Sequence, residues 1–154
     1  MDRIDCKILE ALQKDATAPV ADIAAHAGLS VSPCWRRIQK LEADGVIRRR
    51  VVLVDPDRIN LGLTVFVTVR TSHHNAKWAQ QFCKSVSLIP EVIEFYRMAG
   101  RDDYLLRIVV PNIQAYDGVY KRLIETAELL DVTSSFAMET IKSTTALPLK
   151  YIES

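Results

Sequence analysis

Six cations fall within seventeen residues of this chain. Arg36, Arg37 and Lys40 lie in the stretch GLSVSPCWRRIQKLEADGVI at positions 28–47, and Arg48-Arg49-Arg50 follow directly. Arginine can donate two parallel bonds from its fork to one guanine edge, so a pair of arginines on a short helix suits base reading. Lysine and a run of arginines suit phosphates, which supply affinity without sequence information. The formal net charge is only +1, but its distribution is uneven. Residues 1–33 hold three Lys/Arg against five Asp/Glu, whereas residues 34–50 hold six against two. Positive charge gathered in one segment is the electrostatic footprint of a nucleic-acid partner. The bland alternative is a solvated basic face on a helical bundle.

The elements that must position these cations can be read from periodicity. Ile4, Ile8, Leu9 and Leu12 recur at helical spacing, which predicts an amphipathic helix over about residues 3–14. Pro19 suits the first turn of a second helix, where its missing N–H costs nothing. Val20, Ile23, Ala24 and Ala27 form that helix's apolar stripe, and Gly28 ends it. Ser30 is placed to cap a third helix. There Cys34, Ile38 and Leu41 face inward, while Arg36, Arg37, Gln39 and Lys40 face out, with Ser32 and Pro33 near the amino-terminal end. Trp35 lies between the two faces, and we expect it to pack on the preceding helix or on a partner subunit. The pattern is a winged helix-turn-helix, with residues 48–54 as a basic strand beside the third helix. In such a motif that helix enters the major groove and its early residues meet base edges.

Beyond a hinge, Thr64–Arg70 is rich in β-branched residues and reads as a strand. Trp78, Phe82 and Val86 predict a helix over about 75–87. Val92–Met98 and Tyr104–Val110 are two strands joined by the turn Ala99–Asp103. A helix follows from Ile113 to Ala127, and then a strand from Val132 to Ile141. The fold class expected is α+β, an amino-terminal winged helix-turn-helix domain and a carboxy-terminal ferredoxin-like βαββαβ domain. The expected boundaries are 1–50 for the first domain, 51–62 for strand and hinge, and 63–154 for the second. Helices cover one face of such a sheet. Phe66, Ile93, Phe95 and Phe136 are too many large apolar groups for the other, so that face is expected to pair with a second subunit.

Composition sets outer limits. At 49% hydrophobic and 25% charged residues the chain is an ordinary globular one. It has no apolar run of the ~18 residues a membrane span needs. A cytoplasmic location is the expectation, with no membrane partner. Cys6, Cys34 and Cys83 are widely spaced, which supports neither a disulfide framework nor a zinc site. The adjacent His73 and His74 suggest an exposed loop pair rather than a metal site, and His26 a surface residue.

Four stretches resemble the Lrp/AsnC family of bacterial transcription regulators over nearly the whole chain: DRIDCKILEAL at 2–12, the segment 28–47, MAGRDDYLL at 98–106 and SSFAMETIKSTTALPL at 134–149. Pro33-Cys34-Trp35, His73-His74 and SSFAMETIK look closest to a branch of cysteine-responsive activators, the DecR type. The resemblance implies a transcription regulator that binds double-stranded DNA through Ser30, Ser32, Pro33, Arg36, Arg37, Lys40, Arg48, Arg49 and Arg50. It further implies a sensor domain for a small amino-acid effector, cysteine and leucine-like acids being candidates, with no other cofactor. Met98, Gly100, Arg101, Asp102, Asp103, Tyr104, Thr133, Ser134 and Ser135 would form that site. Asp102 or Asp103 would meet the ammonium group. Backbone N–H groups around Gly100 and the hydroxyls at 133–135 would meet the carboxylate. The alternative is that 100–103 is merely a hairpin turn.

The chain departs from the family's usual pattern at Arg49-Arg50 and at Arg101-Asp102, and Arg101 could neutralise one of the aspartates. A homodimer is implied, assembling into a tetramer or octamer. The chain is expected not to be an enzyme. Two other functions compete: an enzyme like the haem-precursor decarboxylases that resemble this fold, and a stand-alone amino-acid-binding module. Neither has a use for the basic segment.

Overall fold

In the computed structural model, which describes residues 1–73 and 75–152, helix α1 spans Arg3–Lys14 and opens on a reciprocal cap. The Asp2 carboxylate accepts from the N–H groups of Ile4 and Asp5, and the Asp5 carboxylate accepts from the N–H of Asp2. Helix α2 covers Val20–Ala27, with Pro19 as its cap, one position earlier than expected. Gly28 ends α2 at φ 73°, a conformation in which a side chain would be strained. Helix α3 runs Val31–Ala43. Ser30 occupies its N-cap position in extended backbone, but the hydroxyl makes no capping bond. The cap is therefore conformational, and the sequence-based role for that oxygen is not realised. Ile8, Ile23, Ala24, Ala27, Cys34, Ile38 and Leu41 form the shared core of the three helices.

The chain divides into two compact units, one holding Met1–Leu53 with the tail from Ile141 onward, the other Val54–Thr140. This moves the expected boundary, because the tail belongs with the helices and not with the sheet. Leu149, in a 3-10 turn at Leu149–Tyr151, packs against the helical core. Gln13 fastens the tail from α1: its carboxamide donates to the Leu147 carbonyl at 3.1 Å and accepts from the Leu147 N–H at 2.6 Å.

The wing is also revised. Residues 48–54 pair with no strand among the described residues, and Val51–Val54 are exposed, Val52 at 87%. A segment whose N–H and C=O groups have no ladder partner cannot count as a sheet strand.

In the second unit β1 (Leu63–Arg70), α4 (Ala76–Val86), β2 (Val92–Arg97), β3 (Tyr104–Val110), α5 (Ile113–Glu125) and β4 (Asp131–Phe136) follow the βαββαβ order. The sheet runs β2-β3-β1-β4, each neighbouring pair antiparallel. Val65, Val67, Val69, Leu106, Ile108 and Val110 point to the helices, where Phe82, Val86, Tyr116, Val119 and Leu123 cover them. Strand β4 stops at Phe136 rather than at Ile141. Its last ladder bond, Ala137 N–H to the Thr64 carbonyl, reaches the start of β1, beyond which no partner strand remains.

Two of the four large residues expected on the open face belong to the covered one. Phe95 lies opposite Leu106 in the register and meets Phe82 edge-on. Phe136 lies opposite Val65 and meets Tyr116 edge-on. Phe66, whose 40% exposure equals that of Phe136 at the end of β4, is by contrast on the open face. The register places Leu105, Val109 and Tyr96 there with it, beside an Arg107–Glu94 ion pair at 3.0 Å.

Candidate nucleic-acid interface and effector loop

Helix α3 presents its cations unequally. Cys34, Ile38 and Leu41 are buried, so the opposite arc of the helix carries Ser32, Arg36 and Gln39 into solvent. Arg36 has no hydrogen bond or ion pair among the described residues and is exposed. Its fork is free to meet a partner. Arg37 is not: its Nη1 lies 2.7 Å from Asp2 and 2.7 Å from Asp5, and only a third of the side chain is exposed. The hydrogen bonds it donates to the Asp5 and then the Asp2 carboxylates raise its pKa. The structure therefore changes the expected role of Arg37 from a free base reader to a tie between α3 and the start of α1. It also offsets part of the charge of the two carboxylates, which line the same open groove, of about 630 Å³, as Pro33, Arg36 and Lys40.

Lys40 pairs with Asp44 one turn on at 2.8 Å, both exposed, which raises its pKa without removing it from solvent. Arg50 is held by the Ala16 carbonyl at 3.2 Å and by Glu42 at 3.1 Å. Arg48 and Arg49 are exposed and have no partner among the described residues. The cations thus separate into the free Arg36, Arg48 and Arg49, the lightly held Lys40, and the tied Arg37 and Arg50. Sequence spacing could not show this division, because Asp2 and Asp5 lie more than thirty residues before Arg37.

Trp35, expected to pack on the preceding helix or on a partner subunit, is 49% exposed in the single chain, with no ring stacked on it among the described residues.

At the other candidate site, the turn from Met98 to Asp103 is closed by the Met98 N–H to the Asp103 carbonyl at 2.8 Å. Gly100 sits at φ 147°, and a methyl group built on it would meet nothing within 4 Å. Its glycine is thus a conformational need, with open space beside it. Asp103 is anchored: its N–H donates to the Val69 carbonyl at 2.9 Å and its carboxylate accepts from the Thr71 N–H at 2.8 Å. Asp102 is half-buried and has no partner among the described residues; Arg101 is exposed and makes no pair with it.

Tyr104 leaves the set, since it is buried with Phe82, Phe95 and Trp78 on the helix side of the sheet, which raises its pKa. Ser134 leaves it too. Its hydroxyl is hydrogen-bonded to Tyr116 on that same covered side. Thr133, bonded to Asp131 at 3.1 Å, and Ser135, opposite Phe66, stay on the open face.

His73 stacks on Trp78 and lies 3.5 Å from Glu128, while His74 lies outside the described residues. No group of three or more His, Cys, Asp or Glu among the described residues is placed to hold a metal ion. No helix among them is long and apolar enough to cross a membrane.

A helix-turn-helix unit with unpaired guanidinium groups, followed by a separate α+β unit, defines the class of DNA-binding transcription regulators. The chain belongs to the Lrp/AsnC family: residues 1–42 match its AsnC-type helix-turn-helix domain and residues 64–147 the Lrp/AsnC ligand binding domain. It is 51% identical over 149 residues to the glutamate uptake regulatory protein of Zymomonas mobilis, covering 97% of this chain and 91% of that protein. It is 47% identical over 151 residues to the DNA-binding transcriptional activator DecR of Escherichia coli, covering 97% and 99%. The structure matches an AsnC family transcriptional regulator from Agrobacterium tumefaciens at a TM-score of 0.96 and 59% identity, over 99% of this chain and 100% of that one. It also matches a transcriptional regulator from Neisseria meningitidis, solved with L-methionine, at 0.92 and 34%, over 97% of each.

Proposed function

We propose that this regulator controls transcription as a homodimer or larger assembly, without catalysis of its own, and that a small amino acid bound at the Gly100–Asp103 turn sets its promoter occupancy. The observation that carries the proposal is the contrast between the two aspartates of that turn. Asp103 is consumed in holding backbone, while Asp102 is left without a partner beside a glycine that opens space for a ligand. An ammonium group would supply the missing counter-charge, and free N–H groups of the turn with Thr133 and Ser135 would serve a carboxylate. The methionine complex of the Neisseria relative supports an α-amino acid as the ligand class. The half-exposed Phe66 with Tyr96, Leu105 and Val109 supports pairing of the open sheet face with a second copy.

A thermal-shift panel of the twenty amino acids, run beside gel retardation of the gene's upstream DNA at low salt, tests both parts. One or a few amino acids should raise the melting temperature and change retardation in the same titration. Retardation with no amino-acid response would leave a DNA-binding protein and remove the effector. An amino-acid shift with no retardation would favour the stand-alone binding module.

A further inference from the structure

We infer that Trp35 is a specificity-determining residue, whose exposed indole face lies against the C5-methyl of thymine in the major groove beside the base read by Arg36. This rests on the helix-turn-helix unit being the DNA-binding surface. Helical geometry puts Trp35 on the shoulder next to the outward arc of Ser32, Arg36 and Gln39, away from the buried Cys34, Ile38 and Leu41. The ring is 49% exposed, and Val31, one turn earlier on the same shoulder, is 50% exposed. Two large apolar groups are therefore held in water on the early turns of the helix, where base contacts are made.

Three observations favour DNA over a second protein as the occupant. The flanking groups Ser32, Arg36 and Gln39 are polar and exposed, and a protein interface would have to strip their water without returning bonds. Glu42, two helical turns beyond this tryptophan on the same shoulder, is paired to Arg50 at 3.1 Å and accepts from Gln39 at 3.0 Å, so its charge is compensated where a phosphate would approach. The types present also match the major-groove code: arginine for guanine, glutamine for adenine and an apolar surface for the thymine methyl, the one apolar feature of that groove.

The test begins with a duplex selected by the wild-type protein from a pool with a random centre. Thymines in the selected duplex are then replaced one at a time by deoxyuridine, which removes only the methyl. At one or two positions per half-site the wild type should weaken about fourfold, the change expected for losing burial of one CH2-sized group. W35A should bind the thymine duplex more weakly and be indifferent at those positions, while W35F should keep part of the discrimination. Methyl removal that affects wild type and W35A equally, or affects neither, overturns the inference while leaving the DNA-binding surface intact. Failure of the wild type to enrich any duplex overturns both.

A second readout uses the intrinsic fluorescence of the tryptophans. The chain has two tryptophans, and Trp78 is stacked on Phe82 in the sheet unit. Acrylamide quenching of the wild type should fall when the selected duplex is added, and W35F should lose that protection. Unchanged quenching on saturation with DNA overturns the assignment.

Discussion

Arg37 Nη1 sits 2.7 Å from Asp5 Oδ1 and 2.7 Å from Asp2 Oδ2, so one guanidinium joins the third helix to both carboxylates of the first helix's cap. Replacing it with alanine leaves two uncompensated carboxylates on the rim of the groove that also carries Arg36 and Lys40. R37A should lower the melting temperature by about 2–5 °C, as expected for loss of a partly exposed pair. It should also weaken binding to every DNA sequence alike, because the new negative charge repels phosphate. Adding D5N should restore most of the affinity without restoring stability. Retention of full affinity by R37A, measured by anisotropy on specific and random duplexes, would refute the charge-offsetting role.

The same cap carries a pH dependence. The Asp2 carboxyl is held below its ordinary value of 3.8, first by the Asp5 N–H and then by Arg37. Asp15 is likewise lowered, by the Thr17 hydroxyl and then its N–H. A depressed folded-state pKa contributes stability that is present above the unfolded-state value and is lost as pH falls through the folded one. The helical unit should therefore lose stability on acidification below about pH 4. Melting curves of wild type and D2N should differ at pH 6 and converge at pH 2–3. A constant gap across that range would place the effect of Asp2 elsewhere.

Much of this was legible in the chain because it depends on near neighbours. The helices α1 and α3 and strands β1 and β3 follow from apolar periods of 3.6 and 2, and Gly28 from its need for a left-handed turn. What could not be read depends on distant partners. A register shift between Val92 and Glu94 changes the alternation of β2, which puts Phe95 under the helices. Phe136 takes its face from Val65, some seventy residues earlier. The exposure of Trp35, the docking of Leu149 and the pairing of Arg37 have no local signature, since each is decided by what the fold brings, or fails to bring, alongside.

Arg48 and Arg49 should act on phosphates, and Arg50 on structure. Each of R48A and R49A should reduce the slope of log K against log salt by about 0.9, the value for one lost phosphate contact, and weaken all sequences equally. Arg50 instead bonds the Ala16 carbonyl and Glu42. R50A should thus reduce thermal stability and change the salt slope less than either neighbour. An R50A slope change equal to theirs would show that its bonds open on DNA.

Asp102 and Asp103 are neighbours with opposite expected phenotypes. D102A should melt like the wild type in the absence of ligand but lose the shift produced by the responding amino acid. At a hundredfold excess over Kd that shift corresponds to ~2.7 kcal/mol, or roughly 5–10 °C. D103A removes the acceptor for the Thr71 N–H and should cost about 1–2 kcal/mol before any ligand is added. A ligand shift preserved in D102A would move the ammonium partner away from this residue.

The tail is a strap, and its release should be measurable. Gln13 offers the Leu147 peptide one donor and one acceptor, imitating a strand partner, and Leu149 then packs on the core of the three helices. Between the sheet and that anchor the chain is exposed, Lys142 included. Q13A should cost about 1 kcal/mol and L149A about 1–2 kcal/mol, the latter because the leucine is only half-buried. Both should speed tryptic cleavage at Lys150, which the docked 3-10 turn protects, more than at Lys142, which is accessible in either state. The helices themselves remain capped and packed, so Q13A should keep its affinity for DNA at temperatures well below melting. Equal acceleration at the two lysines would mean that the variants loosen the whole unit and not the strap alone.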